Sequence, residues 1–270
     1  MKKRLIINAD DYGRTAGVSA GIRKAHLEGV VTSITCMMNL PDTPRYLDLA
    51  LKSCPDLGMG VHLNLTFGDP LNPASRVSTL VDAEGRFNGL DGFLARLAGA
   101  RLEEIRLEWT AQIERFISAT GRHPTHLDSH HHTSYYTPGL FGLMLEMANH
   151  YQCAIRFPVW QGHVRGMADQ FATEMDPALA QLIDRKAVPH PDGFFETFYD
   201  LGVSLEEMRG ILFGLPEGTF EIMTHPGLVD PDLNSTYASM REVELAILTN
   251  PQVRTWIEQN QITLIHFEQI

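Results

Sequence analysis

The chain has 270 residues, 44% hydrophobic and 20% charged, an ordinary globular composition at a length that suits one α/β barrel. Its 33 acidic against 22 basic residues leave a net charge of −11, which argues against a nucleic-acid or anionic-membrane partner. Cys36, Cys54 and Cys153 fit no zinc or redox spacing, Leu5-Ile6-Ile7 is too short for a signal-peptide core, and no stretch is long enough to span a bilayer, so the expected location is the cytoplasm.

Leu5-Ile6-Ile7, stopped by Asn8-Ala9-Asp10-Asp11-Tyr12-Gly13, predicts a buried strand ending in a polar loop. Val18, Ile22 and Ala25 fall at helical spacing, closed by Gly29, and Val30 to Met38 is β-branched and apolar, a second strand. After a helix over Tyr46 to Lys52, Gly58 to Thr66 alternates: Met59, Val61, Leu63 and Leu65 face one way, His62, Asn64 and Thr66 the other. Residues 67–100, rich in Gly, Pro and Asn, predict a long excursion of the kind that forms lids or binding loops. Leu102, Ile105, Trp109, Ile113 and Phe116 mark a long amphipathic helix, and Thr125 to His130 a strand leaving into a loop. A helix (Leu140 to Asn149), a strand (Ala154 to Phe157) and an irregular stretch (159–192) follow. The chain then reads as strand (Phe194 to Tyr199), helix (Ser204 to Phe213), strand (Phe220 to Thr224), helix (Met240 to Leu248) and a last strand (Ile262 to Phe267).

Strands alternating with helices imply an α/β fold with mostly parallel strands. About seven such units suit a distorted, incomplete (β/α) TIM-like barrel, with an open doubly wound sheet as the alternative. No repeat, low-complexity tract or linker interrupts residues 1–270, which are read as a single domain; a homodimer is compatible with such a chain.

The Asp and His residues fall where such a fold places its active site, at the carboxyl ends of strands. Asp10-Asp11 offers two carboxylates on one turn, one able to bind a metal while the other acts on water; the alternative is a helix N-cap. His62 lies on the polar face of its strand, where a lone imidazole is more often hydrogen-bonded structure than a ligand. His126-Leu127-Asp128-Ser129-His130-His131-His132 is the strongest signal, because imidazole is a common metal ligand and a nearby carboxylate fixes its tautomer. The bland alternative is an exposed His-rich turn. Thr224-His225-Pro226-Gly227 closes a strand with a stiff turn that holds an imidazole at the rim, a candidate general acid or a structural residue. A mixed Asp/His set with open positions suits one divalent ion, Zn²⁺, Mn²⁺, Co²⁺ or Mg²⁺. Without a Gly-x-Gly-x-x-Gly fingerprint or a P-loop, a nucleotide cofactor is not expected.

Ile7-Asn8-Ala9-Asp10-Asp11-Tyr12-Gly13, Gly29-Val30-Val31-Thr32-Ser33, Gly60-Val61-His62, Pro124-Thr125-His126-Leu127-Asp128-Ser129-His130-His131 and Thr224-His225-Pro226-Gly227 occur in this order, and together they resemble the YdjC-type (ChbG/HpnK) carbohydrate deacetylases as far as about residue 245. The resemblance implies a distorted (β/α) barrel and a metal-dependent hydrolase that removes acetyl groups from N-acetylated amino sugars. Carried over by motif, the metal ligands fall on Asp11, His62 and His130, the general base on Asp10 and the acid on His225, with His126 and Asp128 supporting the ligands from behind. Tyr12 stands where Phe is common, and the loops at 67–100 and 159–192 have no counterpart in these motifs. For the sugar, Tyr135, Tyr136, Trp160, Phe194 and Phe195 are stacking candidates that could equally be core, and Arg156 is either a contact to a substrate oxygen or a structural ion pair. The rival readings are a metal-dependent phosphoesterase or other amidohydrolase on a similar barrel, and a non-catalytic sugar-binding or metal-storing protein.

Overall fold

From Leu5 to Tyr12 every residue is buried, so the first strand has no solvent face and must lie inside the sheet. In the computed structural model, which describes residues 2–157, 182–183 and 187–270, this strand is β1 (Lys3–Tyr12). One edge of β1 pairs with β7 (Gly218–Thr224) along Lys3 to Ala9. The other edge is shared, first by β8 (Thr263–Leu264) at Arg4 and Leu5, then by β2 (Ser33–Cys36) from Asn8 onward. Next come β3 (Gly58–Leu63), β4 (His126–Ser129) and β5 (Ala154–Ile155) on the β2 side, and β6 (Gly193–Phe195) outside β7. Every pairing between these strands is parallel.

The order β5-β4-β3-β2-β1-β7-β6 decides between the two expected architectures. A doubly wound sheet reverses its strand order at a switch point. Here the neighbours run in chain order around the sheet, with the late strand β7 returning to β1, which is the barrel arrangement. Among the described residues β5 and β6 do not pair, so seven strands form a curled half-barrel and β8 tucks against the amino-terminal end of β1.

The covering helices are α1 (Ala16–Leu27), α2 (Thr43–Ser53), α3 (Gly89–Arg96), α4 (Leu102–Thr120), α5 (Pro138–Tyr151), α6 (Leu205–Gly214), α7 (Ala238–Leu248) and α8 (Pro251–Gln259). Thr15, Thr137, Ser204 and Asn250 cap the amino ends of α1, α5, α6 and α8 through their side chains, and Gly121 ends α4 in the left-handed conformation at φ 71°. None of these helices is long and apolar enough to cross a membrane. The three cysteines are free and buried.

The excursion at 67–100 is not structureless: it carries α3 and an antiparallel bridge between Val81 and Phe87. Two buried carboxylates on α4 pin it. Glu108 accepts hydrogen bonds from the backbone N–H of Leu71 (2.9 Å) and Asn72 (3.1 Å), from Asn72 Nδ2 and from Gln112 Nε2. One turn earlier, Glu104 accepts from Thr79 N–H and its hydroxyl. Truncating Glu108 strands the buried Gln112 amide and the part-buried donors of Leu71 and Asn72 at once, and a fully buried donor left unmade costs about 1–3 kcal/mol. Glu108→Ala is expected to lower unfolding free energy by about 3 kcal/mol in urea titrations and to open residues 67–80 to limited proteolysis.

Candidate active site

β1 runs on through the segment expected to be loop, and its end is irregular. The register against β2 shifts between Ala9 and Tyr12, and Asp11 takes a left-handed φ of 69°. In a regular strand adjacent side chains point to opposite faces. Here the irregularity lets Asp10 and Asp11 both line one cavity of about 410 Å³ at the carboxyl ends of the strands. Neither caps a helix, since Thr15 Oγ1 accepts the Val18 N–H at the start of α1.

Different arginines hold the two carboxylates. Both oxygens of Asp10 receive Arg156, each at 2.7 Å, and Oδ1 also accepts from Asn8 Nδ2 at 2.8 Å. Asp11 gives only Oδ2 to Arg241, with Arg14 3.8 Å away, and its Oδ1 has no hydrogen-bond partner although it is buried. Burial pushes both carboxyls up, but Arg156 at Asp10 and Arg241 at Asp11 outweigh it, so both lie well below the usual carboxylate range.

The orphaned Asp11 Oδ1 faces two imidazoles. It lies 3.5 Å from His62 Nε2 and 3.2 Å from His130 Nδ1, which are 3.3 Å from each other. These edges approach the ~3.4 Å spacing of tetrahedral ligands around an ion bonded at about 2.1 Å. Asp128, opposite His62 in the β3–β4 register, accepts a hydrogen bond from His62 Nδ1 at 2.7 Å, which turns Nε2 toward Asp11 Oδ1 and His130 Nδ1. Burial disfavours a charged His62, yet Asp128, Asp10 and Asp11 prevail and push it up to about 9. The position therefore calls for a positive charge. A second trio, Asp10, His62 and Asp128, also lies close enough to hold an ion. Its oxygens are already occupied, because Arg156 Nη1 sits 2.7 Å from Asp10 and 3.0 Å from Asp128 and so fills the cation's place.

His126 does not join this group. Same-face residues on a strand step by about 6.7 Å, so His126, Asp128 and His130 run along the barrel and only His130 lines the cavity, with Asp128 one layer below it. His126 instead stacks on Phe267, with ring centroids 3.6 Å apart, and lies over Gly60, where a Cβ would come within 2.5 Å of its ring. His131 and His132 take left-handed φ values of 53° and 55° and turn back into the cavity. Burial pushes His132 down to about 3, so it lines the cavity as a neutral imidazole, while the more exposed His131 ring is held by Thr66 Oγ1 at 2.9 Å. His225 also faces the cavity, with Nε2 3.9 Å from Asp10 Oδ2 and Nδ1 buried without a hydrogen bond. Burial, opposed by the charges of Asp10 and Asp11, lowers it to about 4.

The expected sugar contacts fare differently. Arg156 is completely buried and cannot reach a substrate oxygen, so the ion-pair alternative is the correct one. Tyr135 is 2% exposed, and its hydroxyl donates to the Arg156 carbonyl, which makes it core rather than a stacking surface. Phe194 and Phe195 are buried too, the former under the Arg156 guanidinium. Half-buried Tyr136 packs against Phe93, and Trp160 lies outside the described residues, as does most of 159–192. The aromatic residues that do line the cavity, besides its imidazoles, are Tyr199 and Tyr237. Sequence reasoning missed them, along with Arg14, Thr35, Glu221, Arg241 and Glu244. One signal was available: Arg241 and Glu244 share the helical face of Leu245 and Leu248, where buried charges demand partners.

Arg156 gathers three carboxylates, Asp10, Asp128 and Glu221, at 2.7, 3.0 and 2.7 Å. Removing the one cation leaves them buried and mutually repelling, so Arg156→Met should cost about 3–5 kcal/mol of stability at pH 7 by chemical denaturation. Burial, only partly offset by Arg156, lifts Glu221 from 4.5 to about 7. A carboxyl raised on folding contributes most below its unfolded value and loses that contribution as pH rises through the folded one. Glu221→Gln is therefore expected to flatten the loss of stability between about pH 5 and pH 8 in denaturation curves measured across pH.

The family model of YdjC-like proteins matches residues 4–259. A carbohydrate deacetylase of Thermoanaerobacter pseudethanolicus is 37% identical over 267 residues, covering 98% of both chains. A chitooligosaccharide deacetylase of Yersinia enterocolitica is 33% identical over 266 residues, 96% of both. A crystal structure from Enterococcus faecalis V583, of a protein provisionally named for cellobiose-phosphate cleavage, superposes with a TM-score of 0.88 at 36% identity, covering 100% of this chain and 99% of that one. The family 4 carbohydrate esterase of Streptomyces lividans shares the fold at a TM-score of 0.51 and 9% identity. The match over nearly the whole length makes the chain a member of the YdjC-like protein family.

Proposed function

We propose that the chain is a divalent-metal-dependent hydrolase that removes the acetyl group from an N-acetylated amino sugar. The observation that carries this reading is the triangle of Asp11 Oδ1, His62 Nε2 and His130 Nδ1, with sides of 3.2–3.5 Å, beside an Asp10 that is held anionic. Relatives named carbohydrate and chitooligosaccharide deacetylases support the substrate class.

Asp11, His62 and His130 would hold the ion. When bound it supplies Lewis acidity, polarising the amide carbonyl and acidifying water. The residues around it divide the remaining work. Arg156 keeps Asp10 charged and fixed, so that one of its oxygens accepts the proton of the attacking water. His225, neutral and 3.9 Å from Asp10 Oδ2, is placed to receive that proton and deliver it to the departing nitrogen. In the net reaction a C–O bond forms to the acetyl carbon, the C–N bond breaks, and the amine leaves protonated. Without that proton the tetrahedral intermediate would expel water's oxygen again rather than the amine.

Acetate release from N-acetylated mono-, di- and oligosaccharides, read by mass spectrometry with added Zn²⁺, Mn²⁺, Co²⁺ or Mg²⁺, tests the reading. Phosphate release from sugar phosphates without acetate release would favour the phosphoesterase rival. Binding without turnover at any metal loading would favour a non-catalytic homologue. Asp11→Asn, His62→Ala and His130→Ala are each expected to lose bound metal in equilibrium dialysis, and activity with it. Asp10→Asn should retain the metal while kcat falls by roughly 10²–10⁴.

A further inference from the structure

The cavity is charged or polar around most of its circumference, and one side is aromatic. Tyr199 and Tyr237 stack there, with ring centroids 4.6 Å apart and planes inclined by 20°. Tyr199 is 37% exposed, and its centroid lies 5.1 Å from that of His225. The Tyr237 hydroxyl donates to Glu244 Oε1 at 2.6 Å and accepts the backbone N–H of Asp200 at 3.1 Å. The other oxygen of Glu244 accepts the backbone N–H of His225 at 2.5 Å. Glu244 itself is completely buried on α7. One carboxylate thus ties the turn that carries His225 to the ring that backs Tyr199. Asp200, at a left-handed φ of 50°, adds a local turn that leaves Leu201 99% exposed while Tyr199 stays at the cavity.

We propose that the Tyr199–Tyr237 pair is the wall against which the pyranose ring next to the acetamido group rests, and that Glu244 is a positioning residue locking this wall and His225 into one unit. The inference rests on the deacetylase reading. A pyranose offers an apolar C–H face and a polar rim, and so needs an aromatic surface beside hydrogen-bonding groups. The stacked tyrosines supply the surface, and the Arg14, Asn234 and Ser235 side of the same cavity supplies polar partners. The coupling through Glu244 means that the ring and the proton-delivering imidazole keep a fixed relation, which an amide needs if its nitrogen is to leave protonated.

The test uses the metal-loaded protein, the disaccharide of N-acetylglucosamine as the sugar probe and para-nitrophenyl acetate as an acetyl probe without a sugar. Tyr199→Ala should raise KM for the disaccharide about tenfold while kcat falls less than about threefold, and should lower the disaccharide-to-ester ratio of kcat/KM about tenfold. Calorimetric binding of the disaccharide to Asp10→Asn should weaken by the same factor when Tyr199→Ala is added. Tyr237→Phe, which removes only the hydroxyl link, should give a smaller rise in KM. Glu244→Ala should raise KM and lower kcat together. Glu244→Gln should recover most of both, because its carbonyl still accepts the His225 N–H and its amide can donate to the Tyr237 oxygen. A wild type that deacetylates the disaccharide alongside a Tyr199→Ala variant of equal KM and equal affinity would overturn the wall and leave the deacetylase reading standing. A wild type that binds the disaccharide no better than Tyr199→Ala does would overturn the wall, and one that releases acetate from none of the N-acetylated mono-, di- and oligosaccharides with any of the four metals would remove both.

Discussion

A single guanidinium organises the centre of this molecule. Arg156 follows β5, yet its hydrogen bonds and ion pairs reach Asp10 on β1, Asp128 on β4 and Glu221 on β7, all completely or almost completely buried. In a low-dielectric interior, three carboxylates around one cation are tolerable only when hydrogen bonds satisfy each of them. Asn8 and Thr35 provide such bonds to Asp10 Oδ1 and Asp128 Oδ2, whereas Glu221 has only Arg156 on Oε1 and no partner on Oε2, and burial pushes it up to about 7. The half-barrel is open between β5 and β6 among the described residues, and this cluster ties the β5 side to the β7 side from within. Asp128 then passes the constraint outward by holding His62 Nδ1, so the orientation of the rim imidazole is set by a charge network one layer below it.

The same network explains why the cavity favours a cation although two arginines border it. Of these, Arg241 is consumed by Asp11 Oδ2 and the His225 carbonyl, and Arg14 lies over the Phe67 ring, 3.8 Å from the same Asp11 oxygen, while Arg156 below the cavity is consumed by its three carboxylates. What remains unneutralised is the other oxygen of Asp11, without a hydrogen bond and pointed at two imidazole nitrogens. A buried acceptor left unsatisfied costs free energy. A charge placed among these three atoms relieves that cost, and the upward shift of His62 expresses the same demand in the form of a proton.

Much of this was legible in the sequence because it depends on local periodicity. The alternation over Gly58 to Thr66 put His62 and Asn64 on one face, and the apolar runs marked β1, β7 and their neighbours closely enough to place Asp10, Asp11, His130 and His225 at one rim. What was not legible depends on the third dimension. His126 shares parity with Asp128 and His130, but parity carries no depth, and a two-residue step moves it down the barrel to Phe267. Arg156 was ambiguous because a strand-end arginine reads the same whether it faces solvent or three carboxylates. The apolar run from Phe194 to Tyr199 reads as one strand, but only Gly193–Phe195 pairs with β7, and Tyr199 lies beyond it at the cavity wall. Helix α8 is absent from the sequence expectations, although Asn250, Pro251, Val253, Trp256 and Ile257 show a cap, a proline in the first turn and an apolar stripe.

The pair Asp10-Asp11 shows how neighbouring residues of one chemistry acquire different roles. Sequence allows either to bind a metal and either to act on water. Their guanidinium partners break the symmetry. Asp10 has both oxygens engaged by Arg156, which fixes its plane and its charge and leaves it poorly suited to move onto an ion. Asp11 has one oxygen engaged by Arg241, which fixes its plane as well but leaves the other oxygen free in the direction of His62 and His130. The left-handed backbone at Asp11 is what lets both side chains face the cavity, and Asp is among the few non-glycine residues that adopt it readily. On the proposed reading, two adjacent acids become a ligand and a base because the fold assigns them a different number of hydrogen bonds, not because they differ in themselves.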